Sequence, residues 1–261
     1  MVTSTILFAL LCALILLGAI VYSSGGHAGA TAYLAAMALF SVAPETMKPT
    51  ALVLNILVAS IGVYRFRKAD SIPWKTLMWL LIGSTPMAFL GGMIHLTSHI
   101  YLPLLGILLL MASVRLWIPD HVHEGRGDLK TPKPPWLVLT GMILGFLAGL
   151  TGIGGGIFLT PVLLLLVWET PRKTAGAAVT FILINSISGL LGHLSSLHHI
   201  PMEAGYLALM ALIGGLVGTH LGAFRFNGKT IKRVNAVVLA FSGIKLLMEA
   251  YHYVAPMAHH L

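Results

Sequence analysis

Gly149-Leu150-Thr151-Gly152-Ile153-Gly154-Gly155-Gly156-Ile157-Phe158-Leu159-Thr160-Pro161 lies between two apolar runs, and its reading decides the class of fold. Four glycines in five residues do not make the relaxed middle of a helix, where each costs about 1 kcal/mol against alanine. The flanks, 136–150 and 157–168, are too apolar for a water-exposed loop. Backbone at membrane depth must have its polar groups satisfied, so a break is tolerated there only under cover of protein or beside a wet cavity. Broken helices of this kind build the midplane sites of transporters, with exposed helix N-termini directed at anions. The stretch therefore reads as a glycine-lined anion site inside a membrane protein, with close helix packing through small residues as the alternative. A dinucleotide fingerprint fails, because G-x-G-x-x-G begun at Gly152 ends on Ile157, and no lysine is present for a phosphate loop.

Composition agrees. Of 261 residues, 57% are hydrophobic and 9% charged, and the mean hydropathy is +0.91. Soluble domains carry about 25% charged residues, so this is expected to be an integral membrane protein in contact with the lipid bilayer. The net charge of +8 is confined to short loops, which points to topology and not to nucleic acid. Cys12 is the single cysteine and lies in an apolar run, so neither a disulfide framework nor a cysteine metal site is available. Met1-Val2-Thr3-Ser4 lacks the basic start of a signal peptide, and the first hydrophobic segment is expected to be retained.

Ten hydrophobic segments follow one another at about 4–22, 28–43, 49–65, 74–94, 100–117, 136–151, 157–168, 175–194, 202–224 and 233–251. All read as helices, since a barrel would alternate over ten-residue strands. Segments 28–43 and 157–168 fall short of the roughly 20 residues a span requires, and each follows a glycine cluster. The two sides of the polar stretch Pro119–Pro135 repeat each other at an offset of 130 residues: Gly25 and Gly26 with Gly155 and Gly156, Thr50 with Thr180, Asn55 with Asn185, Gly62 with Gly192, Gly92 with Gly222. Arg115 falls opposite Lys245. The expected organisation is a first transmembrane repeat over 1–118, a cytoplasmic linker over 119–135, and a second repeat over 136–261.

Five segments per half is an odd number, so the halves should be inverted across the membrane. The charges agree: Arg65, Arg67, Lys68 and Lys75, then Arg126, Lys130 and Lys133, then Arg172 and Lys173, then Arg225, Lys229, Lys232 and Arg233 all fall on one side, the cytoplasm. The opposite loops, around His95–His99 and His193–His199, carry no lysine or arginine, and Lys48 is the lone exception. Both termini then face outside. The expected fold is an all-α polytopic membrane protein of two inverted repeats, with glycine-broken segments that are re-entrant or fully spanning.

Gly145-x-x-x-Gly149-x-x-Gly152-x-Gly154-Gly155-Gly156-x4-Pro161 resembles the hallmark of the TauE/SafE family of sulfite exporters, also called the toluenesulfonate uptake permease family. Pro49–Val58 and Pro86-x4-Gly91-Gly92 look like first-half motifs of one branch, and the resemblance covers about residues 10–250. It implies transport of a small sulfur oxyanion or organosulfonate, such as sulfite or thiosulfate, across the bacterial inner membrane. One departure stands out: Ser23-Ser24-Gly25-Gly26-His27 replaces the second Gly-x-Gly-Gly-Gly that many members carry.

The candidate substrate-binding residues are Gly25, Gly26, His27, Asn55, Thr151, Gly152, Gly154, Gly155, Gly156, Thr180, Asn185 and Ser188. Asn55 and Asn185 sit mid-segment, where a buried amide needs partners; they read either as paired donors to an oxyanion or as interhelical glue. The hydroxyls of Thr180 and Ser188 either add donors or bond their own helix carbonyls. His27, beside the first glycine cluster, reads as an oxyanion donor, a proton carrier, or a histidine bonded in the break. None of the eight acidic residues lies mid-segment, which suits an anion. Arg115 and Lys245 are either vestibule cations or side chains reaching the headgroups. No cofactor and no metal site is expected, and the coupling ion, H+ or Na+, is left open. The competing class is a histidine-rich protein for transition-metal uptake or delivery, using His95, His99, His121, His123, His198, His199, His259 and His260, although no spacing supports a closed site. An enzyme is not expected, since neither HExxH nor a Ser/His pair on one helix is present.

Overall fold

The structure is a computed structural model that describes residues 5–24, 26–117, 129–130, 132–197 and 204–222, with 237, 240–241, 243–248 and 250–251. These residues are all-helical: α1 (Thr5–Ser24), α2 (Ala30–Leu39), α3 (Pro44–Lys68), α4 (Trp74–Met93), α5 (Ser98–Trp117), α6 (Pro134–Thr151), α7 (Gly156–Leu165), α8 (Pro171–Leu197) and α9 (Ala204–Gly222). Of the tenth expected segment the described residues 243–248 are helical. Helices α1, α3, α4, α6 and α8 are long and apolar enough to cross a membrane. Exposed large hydrophobics such as Ile6, Leu17, Met111, Ile143 and Leu191 form the surface that lipid would cover, whereas Ala30 to Ala38 of α2 are all buried.

Proline starts α3, α6 and α8, at Pro44, Pro134 and Pro171, where its fixed φ suits the first turn and its missing N–H is not needed. That is why α3 begins before the expected 49 and takes Pro49 inside it, and why Pro134 and Pro135 of the expected linker belong to α6. The helix ends share one device. After α1, α2, α3 and α7 the chain turns through a left-handed residue, Gly26, Ser41, Asp70 and Val167, with φ of 79°, 51°, 47° and 57°. Paired amides close each of these ends, as in Val42 N–H to Met37 O at 3.0 Å and Trp168 N–H to Leu163 O at 2.9 Å.

Small residues bring the helices together. Gly141, Gly145 and Gly149 of α6 lie against the backbone of Leu80, Ser84 and Ala88 of α4, so the two run parallel and in close contact. On its other side α4 meets α8, where Gly192 abuts Phe89 and Ser188 Oγ donates to Thr85 O at 2.6 Å. In the same way α9 packs along α1, with Gly214 on Leu16 and Gly218 on Ile20, and also touches α3. The central pair, α3 and α8, is antiparallel: Gly62 meets Val179 near one end and Asn55 meets Ser186 at mid-length.

One end of the bundle collects the basic residues. Arg172 Nε donates to Ser71 Oγ at 3.0 Å, Thr76 Oγ1 to Glu169 Oε1 at 2.7 Å, and Lys130 N–H to Val167 O at 2.9 Å. The ends of α3 and α7 and the starts of α4 and α8 therefore share a face. Because α7 runs back toward the end from which α4 and α6 rise, α6, the glycine break and α7 form a helical hairpin.

Candidate functional site

The break between α6 and α7 is built from backbone. Gly152, at φ 79°, ends α6 with its N–H on Ala148 O at 3.0 Å, and Gly154 and Gly155 follow at φ 80° and 82°. Three left-handed residues in four would strain any side chain, which explains the glycines locally. Thr151 through Gly156 are all buried. Gly155 caps α7, and the amides of Gly154, Gly155, Gly156 and Ile157 have no acceptor among the described residues. A helix N-terminus with free amides carries about half a positive charge, so this buried point attracts anions.

Two side chains close on it. Asn55, fully buried on α3, sends Nδ2 to Ile153 O at 3.3 Å and to Ser186 Oγ at 3.3 Å. A methyl added to Gly154 would stand 2.7 Å from Asn55 Nδ2 and 2.9 Å from Ser186 Oγ. Beside Ser186, Asn185 is also fully buried and donates Nδ2 to Phe181 O of its own helix at 2.8 Å. Phe181 in turn faces Gly155, so both asparagines flank the same break. Asn55 Nδ2 thus has both its N–H groups occupied, by Ile153 O and Ser186 Oγ, whereas Phe181 O takes one N–H of Asn185. Oδ1 of each is buried without a partner among the described residues, as is Thr50 Oγ1. An unmade hydrogen bond of this kind costs about 1–3 kcal/mol.

The first break lies elsewhere. Gly26, at φ 79°, backs onto Ala175 and Phe66, near the basic end. Gly29, at φ 117°, caps α2, and Tyr33 Oη donates to Ala28 O at 2.6 Å. By backbone geometry Gly26 corresponds to Gly152 and Gly29 to Gly155, which corrects the pairing of Gly25 and Gly26 with Gly155 and Gly156. Gly25 lies outside the described residues. His27 reaches α7, with Nε2 3.0 Å from Thr160 Oγ1. Since Thr160 donates its own proton to Gly156 O at 2.9 Å, His27 is the donor there, through Nε2–H.

The remaining candidates separate. Thr151 Oγ1 donates to Leu147 O at 2.7 Å and also receives Ile153 N–H at 3.4 Å, so it shapes the break. Thr180 Oγ1 donates to Gly176 O of its own helix, and Ser188 bridges α8 to α4. Lys245 Nζ donates to Ala38 O at 2.7 Å, Leu39 O at 2.6 Å and Ser41 Oγ at 2.9 Å, closing the end of α2. The side chain of Arg115 lies outside the described residues.

Lys48 was visible in the sequence only as a charge out of place. It is buried, and its Nζ donates to Gly91 O, Gly92 O and Ile94 O at 3.2, 3.0 and 3.0 Å, capping α4. Its stem packs on Gly152. Beside it the rings of His95 and His193 are 5.3 Å apart, and the His193 Nδ1 is buried without a partner among the described residues. Desolvation, then the Lys48 charge, lowers the pKa of His95, which lies between α4 and α5. Among the described residues no three His, Cys, Asp or Glu side chains come together as a metal site would require. Tyr101, which no motif or spacing singles out, donates Oη to Thr151 O at 3.0 Å and holds the break from α5.

Comparison with known proteins bears on the same residues. The family model described as "Sulfite exporter TauE/SafE" matches residues 10–246. A probable membrane transporter protein of Sinorhizobium fredii is 34% identical over 232 residues, 88% of this chain and 94% of that protein. One of Bacillus subtilis is 27% identical over 85% of this chain and 92% of its own, and one of Methanocaldococcus jannaschii 26% over 76% and 78%. No solved structure matches the chain. With the match running from α1 through both breaks into the tenth segment, the chain belongs to the TauE/SafE sulfite exporter family of membrane transporters.

Proposed function

We propose that the protein carries a small sulfur-containing anion, such as sulfite, thiosulfate or an organosulfonate, across the bacterial cytoplasmic membrane by alternating access. One observation carries the reading: the four amides from Gly154 to Ile157, at the buried start of α7, have no protein acceptor among the described residues and lie beside Asn55 and Ser186. Such a cluster of donors at a helix N-terminus binds an anion without a side-chain cation. The family description supports the sulfur chemistry.

The mechanism rests on two inverted repeats that rock against each other. Support for this comes from the packing: α4 lies on α6 and α8 as α9 lies on α1 and α3, and the antiparallel pair α3 and α8 crosses at the centre. The basic end is the cytoplasmic one by the positive-inside rule, which places both termini outside. Uptake and export of labelled sulfite, thiosulfate and organosulfonates in inside-out and right-side-out vesicles is the test. Concentration-dependent, saturable movement of at least one of them is expected. Vesicles that move none faster than protein-free controls would overturn the reading.

A further inference from the structure

We propose that the site at the α6–α7 break takes its oxyanion with one proton still attached, so that hydrogensulfite is preferred to the sulfite dianion and to sulfonates. This rests on the anion reading above and goes beyond it to the protonation state of the ligand. The two asparagines carry the inference. Asn55 Nδ2 faces Ile153 O, and Asn185 Nδ2 faces Phe181 O. Those partners are carbonyls, which only accept, so turning either amide over would set oxygen against oxygen. Both Oδ1 atoms are therefore fixed as acceptors, fully buried and without a partner among the described residues. Across the break, the amides of Gly154 to Ile157 are fixed as donors.

A ligand that fits both sets must accept on one side and donate on the other. A fully deprotonated oxyanion only accepts; it satisfies the amides and leaves the asparagine oxygens facing oxygen. A hydrogen-oxyanion brings an O–H to them. A site made to hydrogen-bond a ligand O–H discriminates strongly against analogues without it, because its own buried groups are then left unpaired. Charge points the same way. Lys48, the lysine nearest the break, has its ammonium on three α4 carbonyls, and desolvating two charges on one ion costs far more than desolvating one.

The test compares sulfite with methanesulfonate, a monoanion of similar shape that has no proton near neutral pH, by calorimetry on the full chain in detergent. Methanesulfonate reports what the protein's own groups contribute, His27 against Thr160 of α7 and His95, His193 and Lys48 beside the end of α4, with Tyr101 of α5 on Thr151 O. The ratio of sulfite to methanesulfonate affinity therefore isolates the ligand proton. It should fall about tenfold as pH rises from about 6 to about 8, one decade being 1.4 kcal/mol. In Asn185→Leu, checked for folding by thermal melting, that ratio should lose its pH dependence. A ratio independent of pH in the unmodified chain overturns the proposal while leaving the anion reading in place. So does affinity that follows Na+ at fixed pH, which would put a cation on the asparagine oxygens. Failure of both anions to bind at any pH would remove the anion reading itself.

Discussion

Gly154 has less room than any side chain needs: its φ is 80°, and a methyl there would press on Asn55 Nδ2 and Ser186 Oγ. Gly154→Ala should lower stability by about 1–3 kcal/mol through backbone strain alone. It should also abolish ligand-induced stabilisation, because the amides it carries would turn away. Gly205, with nothing within 4 Å of its added methyl, is the control, and Gly205→Ala in α9 should be neutral or slightly stabilising in the same melts. Lys48 tests a different idea. If its ammonium closes the end of α4, Lys48→Met leaves three carbonyls uncapped and should cost about 1–3 kcal/mol in thermal unfolding. A cation serving only to attract substrate would leave the melting temperature unchanged. The sequence exposed Gly154 because glycine clusters are rare in apolar runs. It marked Lys48 only as an exception to the charge pattern, because the carbonyls it caps come from Gly91, Gly92 and Ile94 of another helix, and no periodicity connects residues so far apart in the chain. The asparagines were legible as buried amides, but the direction each amide points depends on Ile153 and Phe181, and that only the fold decides.

At the scale of elements, the nine described helices match the expected segments closely, since long apolar runs bounded by proline, glycine and charge leave little freedom in a membrane. The register of the first break was misread for a physical reason. The offset of 130 holds for Asn55 and Asn185 in α3 and α8, but between the capping glycines, Gly29 and Gly155, it is 126, and between the helix starts, Pro44 and Pro171, it is 127, so α8 runs three residues longer than α3 ahead of its asparagine. A pattern matched on residue identity cannot see a change of length that falls between a helix start and the matched residue. The stripe Gly141, Gly145, Gly149 in α6 is a packing surface, laid against α4. Gly145→Leu should therefore prevent α4 and α6 from meeting and reduce the yield of folded, monodisperse protein in size-exclusion chromatography. Retained yield with lost transport would instead extend the site down α6.

Most of the basic side chains among the described residues gather at one end of the bundle, and contacts place the ends of α3 and α7 and the starts of α4 and α8 together there through Ser71, Arg172, Thr76 and Glu169. The other end holds Lys48, the close of α4, and the His95–His193 pair. Because α4 and α8 run parallel, residues that follow α4 and residues at the end of α8 must emerge on the same side, although they belong to different halves of the chain. Single cysteines at Ser98 and Ser196 should therefore both react with a membrane-impermeant maleimide added outside intact cells. Cysteines at Asp70 and Lys173 should react only after the membrane is opened. Cys12 is the single native cysteine, so Cys12→Ala supplies a clean background. Opposite labelling of Ser98 and Ser196 would mean parallel repeats and would contradict the packing of α4 along α8. Reversal of all four together would keep the fold and overturn only the orientation assigned from the basic loops. Rocking adds a last expectation to the same set: a saturating transported anion that favours one state should change the labelling rate at Ser98 and Ser196 in the same sense, since an inverted pair opens and closes one mouth.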